Sequence, residues 1–231
     1  MRTLPRNDLR QYDDLADEWW RPGGVFATLH WLAQARARLV PPAARPGAVL
    51  VDVGCGAGLL APHIVGKGYR HIGVDLVISA LTQAAAHGVT TVRGNAAALP
   101  LPSSCADVVV AGELLEHVHD LRGVVAQLCR ILRPGGLLVL DTLNATALSR
   151  FIAVTLAERL CPLARGIHDP ALFVDHGLLI AECAQHGVTL QVRGLRPRIV
   201  DLPKLVTLRG RVRFVRTFTT AVLYQGRGIK N

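Results

Sequence analysis

A glycine-rich turn is the first feature of this sequence that could do chemistry. Asp52 precedes Gly54, Gly56 and Gly58, and the turn follows an apolar run at 48–54. Glycines let such a turn adopt positive φ and let its backbone approach a ligand closely. The spacing GxGxG differs from the GxGxxG of dinucleotide-binding folds, and an acidic residue beside the turn disfavours a pyrophosphate. The pattern suits the ammonium group of an amino acid instead.

A second acidic residue extends this pattern. Asp75 ends the segment HIGVD, 21 residues after Gly54. Folds with a glycine turn place a carboxylate there to accept hydrogen bonds from both ribose hydroxyls. The predicted ligand is therefore a nucleoside joined to an amino acid. A turn without a ligand is the alternative, and the segments GNAAALPLP and ADVVVAGELLEHV at their observed spacing argue against it.

Two carboxylates and a histidine form another candidate group. Glu113, Glu116 and His117 are three and four residues apart, so on a helical turn they would share one face. Such a set can hold a hard divalent cation, Mg²⁺ or Zn²⁺, that binds the oxygens of an acceptor. Two alternatives remain open: His117 acts as a general base without metal, or Glu116 and His117 only cap and pair around the turn.

A later histidine–carboxylate pair, His168 and Asp169, is a further catalytic candidate. A histidine oriented by a carboxylate could deprotonate a hydroxyl group, because its pKa lies near neutral pH. Asp169 also precedes Pro170, so it could equally cap a helix. Trp19 and Trp20 could wall the ligand or anchor an N-terminal helix.

The elements that must position these groups alternate along the chain. Short apolar segments read as strands and the stretches between them as helices, which predicts a Rossmann-like, doubly wound α/β sheet with helices on both faces. We predict a single domain, with a helical N-terminal cap at about 8–40 and a cofactor-binding core at about 48–142. A lid or insertion follows at about 145–187. A basic, antiparallel strand pair at about 188–231 closes a mostly parallel sheet.

Across residues 48–142 these segments resemble the class I S-adenosylmethionine (SAM) methyltransferases. The resemblance implies that Gly54, Gly56 and Gly58 line the methionine portion of SAM and that Asp75 holds the ribose. Asn95 and Ala96 stand where the family usually has Asp-Ala beside the adenine. The side-chain amide of Asn95 can form hydrogen bonds with the same edge of the adenine.

A closer resemblance links the chain to the O-methyltransferases of ubiquinone biosynthesis. It rests on YDDLADEWWRPGG, FATLHWLAQAR, VDVGCGAGLL, GELLEHV, LRPGG and GIHDPALFV, and covers about residues 12–180. It implies that Arg36 contacts the cofactor, that the backbone of Gly112 does so where the family commonly has Met, and that Glu113, Glu116 and His117 are associated with a divalent cation. After about residue 194 it fails: Arg196-Pro197-Arg198 replaces the family's Tyr-Asn-Pro.

The expected reaction is O-methylation of a hydroxylated aromatic small molecule of the catechol or quinone-precursor type. A prenyl chain on this acceptor is compatible with the resemblance. The alternatives are a small-molecule or lipid methyltransferase of secondary metabolism, and a non-catalytic cofactor-binding or RNA-associated protein. Methyl transfer is an in-line displacement that depends on proximity. It requires no Ser-His-Asp or Cys-His arrangement.

The charge of the chain bears on its partners. The net charge is +9, and ten Arg or Lys residues against Asp201 alone lie between positions 193 and 231. This segment lacks a recognisable nucleic-acid-binding module, which argues against nucleic acid. An anionic membrane, an acidic ligand or simple solvation of a strand face would explain it. The apolar stripe and arginines of FIAVTLAERLCPLARG predict peripheral membrane contact.

The remaining composition predicts the compartment. The first twenty residues contain acidic side chains and no apolar stretch of the signal-peptide type, and the five cysteines form no CxxC pair. We therefore expect a cytoplasmic protein, with the membrane contact at the inner face.

Overall fold

The computed structural model describes residues 4–231, which form one eight-stranded sheet in the order β3-β2-β1-β4-β5-β8-β6-β7. The strands are β1 Val49–Val53, β2 Arg70–Asp75, β3 Thr90–Arg93, β4 Ala106–Gly112, β5 Leu132–Leu143, β6 Val188–Pro197, β7 Phe214–Thr217 and β8 Leu223–Lys230. Strands β1 to β5 pair in parallel, and β8, β6 and β7 add antiparallel pairings. The predicted α/β sheet is confirmed.

The C-terminal end of the sheet differs from the predicted strand pair in containing three strands. β8 lies between β5 and β6, whereas β7 pairs with the outer edge of β6. The chain must therefore cross the end of β6 between β7 and β8. Residues 218–222 make this crossing outside any strand, and Phe218 is exposed there.

The helices lie on both faces of this sheet, as predicted. They are α1 Arg10–Asp14, α2 Ala27–Ala37, α3 Ala61–Ile64, α4 Ile78–Ala86, α5 Leu121–Ile131, α6 Ala147–Arg150, α7 Ala157–Leu160, α8 His176–Gln185 and α9 Leu202–Thr207. A wider π-type turn, Phe151–Leu156, joins α6 to α7, so residues 147–160 are helical throughout. No helix within residues 4–231 has both the length and the apolar character that crossing a membrane requires.

Side chains that alternate along the central strands form one packed layer on each face of the sheet. Successive side chains of a strand point to opposite faces. Leu50 and Val108 belong to the cluster that includes residues of α2 and α3, and Val51 and Val109 belong to the cluster that includes residues of α5 and α8. Because β1 to β5 pair in parallel, their carboxyl ends meet at one edge, where the loops are free to form a site.

A buried ion pair ties α2 to this edge. Arg36 Nε lies 2.9 Å from Asp141 Oδ2 and Arg36 Nη2 lies 2.6 Å from Asp141 Oδ1, and both side chains are almost fully buried. Asp141 pairs with Gly112 across β4 and β5. A Cβ on Gly112 would lie 1.7 Å from Cζ of Arg36, so the guanidinium can occupy this place only beside glycine.

We expect Asp141→Asn to lower the free energy of unfolding by about 3 kcal/mol, because it leaves the Arg36 charge buried without its counter-ion. Urea unfolding followed by circular dichroism measures the change. The matched control is Arg45→Gln, which removes a half-exposed partner of Asp107 and should cost less than about 1 kcal/mol. Equal losses in the two variants would contradict a special role for the buried pair.

Candidate functional site

A cavity of about 1000 Å³ opens at the carboxyl edge of the parallel strands. Most of the predicted site residues contribute to its walls: Arg36, Asp52, Gly54, Gly56, Asp75, Asn95, Ala96, Gly112, Glu113, His117 and His168. Three do not. Gly58 packs against α4, where a Cβ would lie 3.0 Å from Cα of Ala84, and Glu116 and Asp169 lie outside the cavity lining. The third glycine of the turn therefore serves helix packing.

The glycine turn between β1 and α3 is held open by Asp75. Gly54 and Gly56 have φ values of 70° and 51°, which favour glycine. The Gly56 amide donates to Asp75 Oδ2 and the Val77 amide donates to Asp75 Oδ1, both at 2.9 Å. Burial raises the pKa of Asp75, and these two donors oppose the shift. Each carboxylate oxygen keeps a lone pair that could accept a ribose hydroxyl.

The other wall residues carry specific polar contacts. Asp52 is buried, with Oδ2 at 3.6 Å from His71 Nε2. The Asn95 side-chain oxygen accepts from the Ala97 amide at 2.9 Å, so the Asn95 NH₂ group is the part left to donate to a ligand. Arg36 uses Nε and Nη2 for Asp141, and only its third nitrogen is outside that ion pair.

Aromatic side chains of the N-terminal segment cover the turn. A Cβ on Gly56 would lie only 2.8 Å from the ring of Trp19. The Trp19 ring stacks on Phe26, with ring centroids 4.1 Å apart. Trp20 Nε1 donates to the Ala57 carbonyl at 3.1 Å. Trp19 thus walls the cavity, and Trp20 anchors the N-terminal segment to the cofactor-binding core.

A polar cluster lies at the end of β4. Glu116, His117 and His168 each offer a ligand atom, and these atoms lie within 4.8 Å of one another. Glu113 is not part of the cluster: it has φ of 50°, and the helical turn begins only at Leu115. The helical spacing expected from Glu113 to His117 therefore does not exist, and His168, from a distant loop, completes the group instead.

The environment of Glu116 and of neighbouring Glu113 disfavours the charged form of both carboxyl groups. Glu116 Oε2 accepts from Thr142 Oγ1 at 2.6 Å, whereas Glu116 Oε1 and Glu113 Oε1 are buried without a hydrogen-bond partner. Burial raises the pKa of Glu116 to about 7. Burial and the charge of Glu116 raise the pKa of Glu113 well above its usual range. These shifts favour the neutral acid form of Glu113, and Glu116 can gain or lose its proton near pH 7.

Asn7 fixes the ring of His117, a contact that the sequence did not reveal. Asn7 Oδ1 lies 2.7 Å from His117 Nδ1, and Asn7 Nδ2 donates to the His117 carbonyl at 2.8 Å. An amide oxygen only accepts, so Nδ1 carries the ring proton and Nε2 keeps its lone pair. Nε2 lies 3.5 Å from the Tyr12 hydroxyl. The only sequence signal was an asparagine, a residue that tolerates the φ of 59° found here.

The second histidine is positioned by a different partner from the one predicted. Asp169 Oδ1 accepts from the Ala171 amide at 2.9 Å and caps the turn Pro170–Leu172, so its carboxylate does not orient His168. Arg6 donates to the His168 carbonyl at 2.8 Å and pairs with Glu158 at 2.6 Å. Burial lowers the pKa of His117 to about 3 and that of His168 to about 4. Both imidazoles are neutral at pH 7.

The remaining walls of the cavity are mostly apolar. They come from the helical stretch 147–160 and from residues 195–208, and include Ile152, Leu156, Leu160, Ile199, Leu202 and Val206. Several of these side chains are also partly exposed, so the apolar surface continues from the cavity to the outside of the protein. A cavity with a glycine turn, a compact polar cluster and apolar walls can hold a nucleoside cofactor beside an apolar acceptor.

Comparisons with known proteins agree with this geometry. A family model described as a methyltransferase domain matches residues 51–140. The ubiquinone biosynthesis O-methyltransferase of Thiobacillus denitrificans is 36% identical over 200 residues, covering 81% of this chain and 85% of that protein. The corresponding protein of Burkholderia thailandensis is 34% identical over 206 residues, covering 84% and 88%.

A solved structure supports the fold. A SAM-dependent methyltransferase of Thermotoga maritima has a TM-score of 0.69 and 18% identity, with 97% of this chain and all of the other covered. The predicted methyltransferase identity and the Rossmann-like fold are confirmed. The chain belongs to the ubiquinone biosynthesis O-methyltransferase family of SAM-dependent methyltransferases.

Proposed function

We propose that this enzyme transfers the methyl group of SAM to a hydroxyl group of a catechol or related quinone-precursor aromatic that carries an apolar chain. The observation that carries the proposal is the position of the cluster Glu116, His117 and His168 beside the cavity that contains the glycine turn and otherwise apolar walls. The relatives are named for ubiquinone biosynthesis, which points to the same acceptor class.

The proposed roles follow from the positions of the side chains. Asp75 accepts the ribose hydroxyls, and Gly54, Gly56 and Asp52 line the place of the methionine portion. His117 Nε2 accepts the proton of the acceptor hydroxyl, because Asn7 keeps the other ring nitrogen protonated. The acceptor oxygen then forms a bond to the methyl carbon while the carbon–sulfur electron pair returns to sulfur. Positioning in a dry cavity supplies much of the rate.

The chain's residues also fit a divalent cation. Glu116 Oε1 is buried and unpartnered, and the rings of His117 and His168 are neutral, so one oxygen and two nitrogen ligands converge. As the alternative to proton transfer to His117, we propose that these three residues hold Mg²⁺ or Zn²⁺ in place of the set with Glu113, because the one free lone pair of His117 cannot serve both roles. When bound, the cation would lower the pKa of a catechol hydroxyl.

Peripheral membrane contact belongs to the same proposal, because an acceptor with an apolar chain resides in a bilayer. Phe151, Leu160 and Leu163 expose 55%, 54% and 61% of their surface beside the cavity wall. Arg159 and Arg165 lie among them in the chain. Apolar side chains flanked by arginines suit an anionic membrane surface.

Asp75→Ala should weaken SAM binding by about 1.5 to 3 kcal/mol in calorimetry, because hydrogen bonds to a charged group are lost. Asp120→Ala is the matched control. Asp120 likewise accepts from a backbone amide, that of Gly123 at 2.9 Å, but it lies outside the cavity. SAM affinity that falls equally in both variants, or in neither, would remove Asp75 from the cofactor site.

The acceptor assignment predicts transfer of labelled methyl to the oxygen of a prenylated catechol, and not to a panel of amines or RNA. Glu116→Gln should lower kcat by roughly 100-fold if the cation is required, since it removes the carboxylate ligand of the proposed cation. Glu113→Gln is the control, because Glu113 lies outside the cluster and burial favours its neutral form, which glutamine resembles. Comparable activity of both variants would argue against a role for Glu116.

Direct titration of the protein with Mn²⁺, followed by electron paramagnetic resonance, tests cation binding independently of the acceptor. Wild type and Glu113→Gln should bind the ion, and Glu116→Gln should bind it at least about tenfold more weakly. Methyl transfer to the catechol that persists in a chelator, with no Mn²⁺ bound by wild type, would eliminate the cation and leave His117 as the base.

Membrane contact predicts that the protein floats with phosphatidylglycerol vesicles and that Phe151→Ser reduces this binding about tenfold, as expected for loss of a large apolar side chain. Val65→Ser is the control. Val65 is 80% exposed but lies between α3 and β2, away from the cavity mouth. Flotation unaffected by Phe151→Ser, or reduced as much by Val65→Ser, would refute contact through residues 151–163.

A further inference from the structure

Three arginines surround a small pocket beside the large cavity. The pocket has a volume of about 450 Å³ and is lined by Arg38, Arg198, Arg213, Phe214 and Val215. Phe214 also lines the large cavity, so the two cavities share a wall. All of its lining residues except Arg38 lie in the C-terminal region where the family resemblance fails, and the proposed methyl transfer does not use the pocket.

The arginines reach this pocket from three parts of the chain. Arg38 follows the last residue of α2, Arg198 follows the end of β6 and Arg213 precedes β7. The Arg198 amide donates to the Arg213 carbonyl at 2.9 Å, and Arg38 Nη1 donates to the Phe214 carbonyl at 3.3 Å. Pairing of β6 with β7 and the position of α2 thus bring the three side chains to one place.

No carboxylate among the described residues forms a salt bridge with these arginines, although Asp201 is close enough to Arg198 to feel its charge. Within residues 4–231, none of the three guanidinium groups forms a salt bridge, and no acidic residue lines the pocket. The nearby Asp201 is already engaged: its Oδ2 accepts from the Arg213 amide at 3.1 Å and its Oδ1 lies 3.0 Å from Lys204 Nζ. Three like charges in one concave place repel each other, and an anion would relieve that repulsion.

We propose that Arg38, Arg198 and Arg213 form a binding site for a phosphate group. Guanidinium groups present paired N–H donors that match phosphate oxygens, and a doubly charged or ester phosphate fits a site with three of them. The phosphate can come from a phospholipid headgroup or from a soluble phosphate. Ile199 and Val200, which directly follow Arg198 and are 69% and 68% exposed, favour the headgroup, because they offer apolar surface beside it.

The lipid arm of the test uses the full chain and vesicles of phosphatidylcholine with and without phosphatidylglycerol. The pocket variant combines Arg38→Ala, Arg198→Ala and Arg213→Ala. Because charge alone attracts a basic protein to anionic lipid, the variant needs a comparison protein of the same net charge.

The charge control combines Arg193→Ala, Arg216→Ala and Arg227→Ala. These exposed arginines lie in the same basic C-terminal region but outside the pocket. We expect the pocket variant to bind phosphatidylglycerol vesicles about tenfold more weakly than the charge control. This factor corresponds to the loss of roughly one charge-assisted hydrogen bond. A thermal melt in chloride verifies that both proteins are folded.

The soluble arm compares melting temperatures in inorganic phosphate and in chloride at equal ionic strength. Stabilisation by phosphate that is present in wild type and the charge control but absent in the pocket variant supports the site with a soluble source. A difference confined to vesicles supports the headgroup. Equal behaviour of the pocket variant and the charge control in both arms would overturn the proposal. Methyl transfer in detergent should be retained by the pocket variant, so this result is independent of the proposed acceptor.

Discussion

The buried ion pair between Arg36 and Asp141 is the contact on which the site depends. It fixes α2 against the carboxyl ends of β4 and β5, and Gln225 Nε2, at 3.4 Å from Asp141 Oδ2, links β8 to the same carboxylate. The helix that carries one wall of the cavity is thereby joined to both the parallel and the antiparallel parts of the sheet. The pair needs a close approach to the backbone, and Gly112 provides it.

Burial sets the protonation states around the polar cluster. Removing charge from water is unfavourable, so burial leaves the imidazoles of His117 and His168 neutral and raises the pKa of Glu116 and Glu113. Neutral imidazoles can accept a proton or bind a cation. A carboxyl group poised near pH 7 can become an anion when a positive charge arrives. The electrostatics of the cluster thus favour binding of a cation or stabilisation of a developing charge.

The N-terminal segment is part of the site as well as a cover for it. Asn7 holds His117, Arg6 holds the loop of His168, and Trp19 lies over Gly56. These contacts join the N-terminal segment to three loops that lie far apart in the chain. The positions of both histidine loops and of the glycine turn therefore depend on the same short segment.

The sequence alone determined the sheet, the glycine turn and Asp75, because each depends on local patterns: apolar strands, glycine spacing and a carboxylate at a strand end. It also singled out Glu116, His117 and His168 as candidate site residues. What it could not decide was which of them meet. The left-handed backbone at Glu113 broke the assumed helical spacing, Asp169 proved to be a cap, and the third C-terminal strand followed from a crossing around β6. Asn7 lies 110 residues from His117, and Arg38 lies far from Arg198 and Arg213 in the chain. Only tertiary packing brings such residues together, since side chains distant in sequence share no local pattern that could predict their contact.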